Sequence, residues 1–291
     1  MPADLRGAVY QIRLAQGRVK EAEVVRAGRL IVAIVLLLLI VFPFYWVISS
    51  SFKPTNQILK PEFFPHSFTL EHYRQLFAQT AYKHNLLNSV LVAAATLAFS
   101  VAVVIPASFA IYRMKFLGRS LVFRLILATY IFPGILLLVP VYQMMSTLHL
   151  VDSLWSLIII NVTFAAPFSI WLMQGFFDSV PKALDEAAAL DGAGPMRTLT
   201  TVILPLIRPG IATIAIYGFI TSWTEYSFAS VLITSDALRT LPVGLKAIMG
   251  QYTVRWGWTT AGAVLTLLPV VLFFALFGKF FVRGLTAGAV K

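Results

Sequence analysis

At 291 residues, with 59% hydrophobic and only 12% charged residues and a mean hydropathy of +0.83, the chain lies outside the range of water-soluble domains, so its solvent is lipid. The net charge of +11 does not point to nucleic acid, because the basic residues sit in small groups flanking long apolar runs, which is how membrane proteins fix their orientation. Cysteine is absent, which removes disulfide frameworks and thiolate metal sites.

A hydrocarbon core of about 30 Å takes about 20 apolar helical residues, and a lipid-facing backbone has to satisfy its own hydrogen bonds, so helices are expected. Residues 1–29 form a basic N-terminal tail. Its Leu5, Val9, Ile12 and Val19 leave two readings open, a helix lying on the inner leaflet and a solvated tail. The first span is expected over residues 30–48, entered from Arg26 and Arg29 and left at Lys53; it is too long for a signal-peptide core. Five more are expected over 86–112, 121–145, 155–177, 210–233 and 259–282, giving a single membrane domain over 30–283 and a short tail over 284–291.

On one side of these six spans lie six Lys and Arg in the N-terminal tail, four from Arg113 to Arg124, three between Asp178 and Arg208 and three at the C-terminal end. The other side carries four, none and three. The positive-inside rule then places both termini in the cytoplasm. Five of the six spans hold an internal proline: Pro43, Pro106, Pro133 with Pro140, Pro167 and Pro269. Each removes a backbone donor and favours a bend, so the expectation is bent helices around a cavity.

Between the fourth and fifth spans, residues 178–208 read as a helix, a turn and a second short helix outside the bilayer. Ser179 is the expected N-cap with Pro181 in the first turn, Asp185 and Glu186 sit where the helix dipole favours negative charge, Gly192 supplies the left-handed turn and Pro195 restarts the helix. Leu184, Ala187 and Ala188 share one face small enough for close approach of another surface. That face is either a docking knob for a partner protein or a surface folded back on the chain's own spans.

The order Glu186-Ala187-Ala188, three residues, Gly192, nine residues, then Val202-Ile203-Leu204-Pro205 resembles the EAA signature of permease subunits of bacterial ATP-binding-cassette importers. Val202 stands where that family usually has isoleucine. Phe52-Lys53-Pro54, Trp223-Thr224-Glu225 and the stretch from Gly284 to Lys291 make the chain similar to the maltose-type carbohydrate permeases over nearly its whole length after about residue 30. The resemblance implies an all-α membrane protein, a type I importer permease with six transmembrane helices, in the bacterial inner membrane. It implies that the 178–208 loop is a coupling helix seated on a cytoplasmic ATPase, with Glu186, Ala187, Ala188, Gly192, Leu204 and Pro205 as its contact residues. It also implies a C-terminal tail, Leu285, Thr286, Gly288 and Lys291, running to the ATPase dimer, and a loop of Met249, Gly250, Gln251 and Tyr252 reaching an external solute-binding protein. A second homologous permease is implied as partner. No Gly-x4-Gly-Lys-[Ser/Thr] motif occurs, since Gly278-Lys279 lacks the upstream glycine and the following hydroxyl. The chain is therefore expected to be no enzyme and to bind no cofactor, with ATP and Mg held by the partner ATPase.

Glu225 is the acidic residue expected inside a span, where it has to be neutral, paired or facing water. Two readings stand for it, the translocation path and an interhelical hydrogen bond. Sugars are held by planar polar groups and a stacked aromatic ring, which makes Asn161, Thr163, Tyr217, Ser222, Trp223 and Tyr226 candidates for a substrate path with Glu225; packing or interfacial anchoring is the alternative for each. His66, His72, His84 and His149 lack metal-ligand spacing and are expected on a solvated surface, with no metal bound. The implied solute is a disaccharide or oligosaccharide, then glycerol phosphate or a polyol. Two rivals remain, an ion-coupled secondary transporter and a membrane scaffold without a path.

Overall fold

The computed structural model describes the backbone of residues 3–250 and 254–287, and the side chains of residues 26–250 and 254–279. The chain divides into two units, one ending at Thr69 and the other beginning at Leu70.

The first unit is a single helix, α1 (Ala3–Ser51), followed by a loop. The helix runs unbroken from the basic tail into the apolar run, whose crossing stretch is Arg26–Ser51. Pro43 lies within it without ending it. The loop is organised on Lys53, which is fully buried. Its ammonium donates to the Glu62 carbonyl at 2.6 Å and lies 4.7 Å from the Trp46 ring centroid, so backbone acceptors and a ring face compensate the buried charge.

The second unit is built on α2 (Glu71–Gln79), α3 (Tyr82–Arg113), α4 (Arg119–Ile131), α5 (Leu138–Thr147), α6 (Leu154–Ser179) and α7 (Ala183–Leu190). A helical stretch, Pro195–Leu206, leads to α8 (Arg208–Trp223), followed by α9 (Ser227–Leu232), α10 (Leu241–Ile248) and α11 (Trp256–Ala287). Among the described residues no strand occurs. Among the described residues four helices are long and apolar enough to cross a membrane, over Arg26–Ser51, Tyr82–Arg113, Leu154–Ser179 and Trp256–Lys279. Two bent pairs bring the number to six when each is counted as one crossing.

The bent pairs agree with the expectation of bent helices and place the sharpest bends in the third and fifth spans. The third breaks after Ile131 and turns by 92° before continuing at Gly134. Pro133 cannot donate to the helix and pushes Phe132 to an extended backbone (φ −76°, ψ 127°). The fifth ends at Trp223, ten residues earlier than the 210–233 expectation, and α8 meets the preceding stretch at 86°. Pro106, Pro167 and Pro269 by contrast sit inside unbroken helices. Residues 198–203 are π-helical, a widened turn just before the Leu204-Pro205 step.

The core is the packing of α3, α6 and α8, with α11 against α8. Phe109, Met173, Phe177, Ile203 and Ile214 fill one end; Val92, Leu157, Phe228 and Leu232 fill the other. Small polar residues line the seams: Thr96, Ser100, Ser108, Ser169 and Thr213 are fully buried, as expected where helices approach closely without a hydrophobic force between them. Gly210 marks a close approach of α8 to α6, since a Cβ there would meet the Phe176 ring at 2.7 Å. Outward faces carry apolar side chains, with Val271 61% and Ile131 82% exposed, the arrangement a lipid solvent requires.

Candidate functional site

Two places in the second unit gather the sequence-predicted residues: the α7 knob and a cavity between α4, α6 and α8.

The knob differs at its start from the expectation. Ser179 is not its N-cap: its hydroxyl donates to the Phe176 carbonyl at 2.7 Å and closes α6. Pro181 biases Val180 to extended backbone (φ −89°, ψ 123°), so the next helix starts only at Ala183, with Lys182 as its cap. The turn follows expectation. Gly192 has φ +77°, the left-handed region that costs an L-residue about 1–2 kcal/mol, and Pro195 occupies the first position of the next helical turn.

Leu184, Glu186, Ala187 and Leu190 are exposed, Leu190 at 89%. Ala188, expected on the docking face, is instead buried at 7%, because α7 leans on the π-helical segment Thr198–Ile203. Both readings of the knob are thus partly present, one edge folded back on the chain and the rest free. Leu204 is half-buried and Pro205 exposed. Arg113, at the end of α3, donates to Asp185 at 2.9 Å and ties the knob to another span. The sequence marked Arg113 only as an orienting positive charge.

The cavity, about 580 Å³, is lined by Tyr130, Asn161, Thr163, Phe164, Tyr217, Thr221, Glu225 and Phe228 among others. Of the substrate-path candidates it brings together Asn161, Thr163, Tyr217 and Glu225. Tyr130 stacks on Phe168 at 5.4 Å, and Phe168 meets Tyr217 at 4.6 Å between ring centroids, so Phe168 of α6 joins the two lining tyrosines of α4 and α8. Sequence reasoning missed Tyr130, Phe164 and Phe228, whose pattern is that of ordinary membrane aromatics.

The other three candidates are elsewhere. Ser222 is buried, accepting from the Asn161 amide at 3.2 Å and donating to Thr96 at 3.4 Å, which joins α6, α8 and α3. Trp223 is 1% exposed and its indole donates to the Thr266 carbonyl of α11 at 3.1 Å; it is a core residue, not a surface for a solute. Tyr226 is 42% exposed and does not line the cavity.

Glu225 lies in the break between α8 and α9. Its two carboxylate oxygens accept from the backbone N–H groups of Phe228 at 2.7 Å and Ala229 at 2.9 Å. This is neither of the two expectations in pure form: the carboxylate caps α9, answering free donors at a helix start, while the side chain forms part of the cavity wall.

Met249 follows the last turn of α10, and Gly250 has φ +65°. Gln251 and Tyr252 lie outside the described residues, as do Gly288 and Lys291. Leu285 and Thr286 lie in the last helical residues of α11, which runs to Ala287. Among the described residues, no group of three or more His, Cys, Asp or Glu is placed to hold a metal ion. His72 is buried in α2, contrary to a surface role, under Gly257 of α11.

A family profile described as binding-protein-dependent transport system inner membrane component matches residues 102–287. A putative ABC transporter permease protein, ORF1, of Streptomyces antibioticus is 40% identical over 227 residues, 78% of this chain and 99% of that one. The trehalose/maltose transport system permease protein MalG of Thermococcus litoralis is 34% identical over 273 residues, 92% of this chain and 98% of that one. In three dimensions the chain is similar to a subunit of a bacterial ABC transporter involved in the import of the acidic polysaccharide alginate, with a TM-score of 0.78 and 21% identity over 89% of this chain and 97% of that one. The six-crossing helical architecture, the exposed helix closed by Gly192 and these matches agree, and the chain belongs to the family of binding-protein-dependent transport system inner membrane components.

Proposed function

We propose that this chain is the membrane-spanning permease subunit of an ATP-driven importer that carries a sugar, a disaccharide or oligosaccharide, delivered by an external solute-binding protein. The observation that carries the reading is the exposed helix Ala183–Leu190, closed by a left-handed Gly192 and lying between two spans. Leu184, Ala187 and Leu190 offer an apolar surface uncovered by the rest of the described chain, with Glu186 exposed beside it to pair with a basic residue. We read it as the coupling helix, and Leu204 and Pro205 as the hinge that follows. A separate cytoplasmic ATPase dimer binds ATP and Mg and drives the chain through this helix. Leu285, Thr286, Gly288 and Lys291 extend toward the same ATPase, and Met249, Gly250, Gln251 and Tyr252 reach the binding protein. A second permease completes the path, and both termini are cytoplasmic.

The sugar assignment is supported by the relative named for trehalose and maltose and by the cavity, whose Tyr130 and Tyr217 rings with the Asn161 amide offer the aromatic and planar polar groups that suit a sugar's faces and rim. The test is co-purification of the tagged chain from its native membrane, followed by uptake of labelled disaccharide into proteoliposomes. An ATPase and a binding protein should come down with it, and uptake should need ATP and survive collapse of ion gradients. Uptake abolished by an ionophore and indifferent to ATP would replace the reading with a secondary transporter.

A further inference from the structure

We infer that Arg113 is a positioning residue, the strut that makes the end of α3 move with the knob, so that a displacement of α7 reaches a third span besides the two that its own chain joins to it. The inference rests on the proposed coupling role of α7 and adds to it the route by which the motion spreads.

By chain connectivity α7 is joined only to α6 before it and to the Pro195–Leu206 stretch after it. Arg113 closes a third connection. It is the last residue of α3, its side chain is 4% exposed, and its guanidinium reaches three acceptors. One nitrogen donates to the Asp185 carboxylate in the first turn of α7 at 2.9 Å. The other donates to the Phe177 carbonyl at 2.7 Å and to the Val180 carbonyl. Those two carbonyls lie at the end of α6, where the last turns leave acceptors without intrahelical partners and the dipole favours a cation. The forked, planar guanidinium can hold all three at once; an ammonium on a flexible stem could not fix their relative positions.

Burial makes the arrangement stiff. A charge at 4% exposure keeps a counter-charge or is left as an uncompensated ion in a medium of low dielectric, so the Asp185 carboxylate is held firmly against Arg113. The aromatic contacts beside it join the same helices: Phe109 and Phe177 rings are 6.4 Å apart, and the Tyr112 hydroxyl donates to the Ile170 carbonyl at 3.0 Å. These bind α3 to α6 but touch nothing on α7. Arg113 alone among these contacts reaches the knob.

The test uses the intact complex in proteoliposomes and reads solute imported per ATP hydrolysed, a ratio that loss of protein or of folding does not move. Arg113→Gln and Asp185→Asn should each leave ATPase co-purification and solute-stimulated hydrolysis near wild type while the ratio falls about tenfold, within the range by which single residues alter coupling between sites. The double variant should fall no further than either single one, as for two members of one interaction. Should Arg113→Gln assemble poorly, Asp185→Asn still decides, since it leaves the contacts of Arg113 with the α6 carbonyls in place. An unchanged ratio in an assembled Asp185→Asn complex overturns the strut and leaves the coupling helix standing; failure of the wild-type chain to bind any ATPase overturns the coupling helix itself.

Discussion

Asn161 on α6 donates its side-chain amide to the hydroxyl of Ser222 on α8 at 3.2 Å, in a buried link that continues to Thr96 on α3. Both residues have the chemistry of sugar contacts, yet Ser222 is used to hold helices together and only Asn161 also lines the cavity. Ser222→Ala should therefore lower the melting temperature of the purified protein, by a loss of about 0.6 to 1.5 kcal/mol, with KM for the solute unchanged. Asn161→Ala should lower stability and raise KM together. Scanning calorimetry or fluorescence melting with initial uptake rates separates the two.

Glu225 spends both carboxylate oxygens on the N–H groups of Phe228 and Ala229. Glu225→Gln keeps one acceptor and loses the charge, a cost of about 1 kcal/mol at a helix start; Glu225→Ala loses both. A capping role predicts KM close to wild type in the Gln variant and a larger fall in kcat in the Ala variant, because α9 carries part of the cavity wall. A rise in KM of tenfold or more with Gln would instead mean that the carboxylate holds the solute.

Gly192 has open space where a Cβ would go, so only its backbone conformation restricts it. Gly192→Ala should cost about 1 kcal/mol and Gly192→Val more, while Gly192→Asn, which tolerates the left-handed region, should cost least. Uptake rates at equal membrane expression should follow the order Asn, Ala, Val. Equal rates for Asn and Val would mean that the turn geometry does not matter to transport.

Asp152 joins the loop before α6 to the loop after α9. Its carboxylate is held below the usual range by the backbone N–H of Ser235, opposed by partial desolvation and helped by Thr234 and the Ser235 hydroxyl. A carboxyl whose folded pKa is depressed contributes stability that is complete above its unfolded value of about 3.9 and lost as pH falls through the folded value. Asp152→Asn should melt below wild type at neutral pH, with the gap closing under acid conditions. A gap that stays constant with pH would assign the effect to shape and not to charge.

The apolar runs, the basic flanks and the Glu186 to Pro205 spacing were enough to read a six-crossing helical permease with an exposed helix between its fourth and fifth spans. These features are legible because lipid forces the backbone into helices long enough to cross it, and because a left-handed turn and a helix restart demand particular residues, Gly192 and Pro195. Other decisions depended on what each side chain meets in space. Pro133 broke its helix while Pro106 and Pro167 did not, Trp223 turned into the core, Glu225 closed the end of its own break, and Arg113, read along the chain as one more orienting charge, reached across 72 positions to Asp185. Spacing along a chain fixes local conformation, whereas a polar or aromatic group in lipid takes whichever partner the packing brings within reach, and only the assembled bundle determines which one that is.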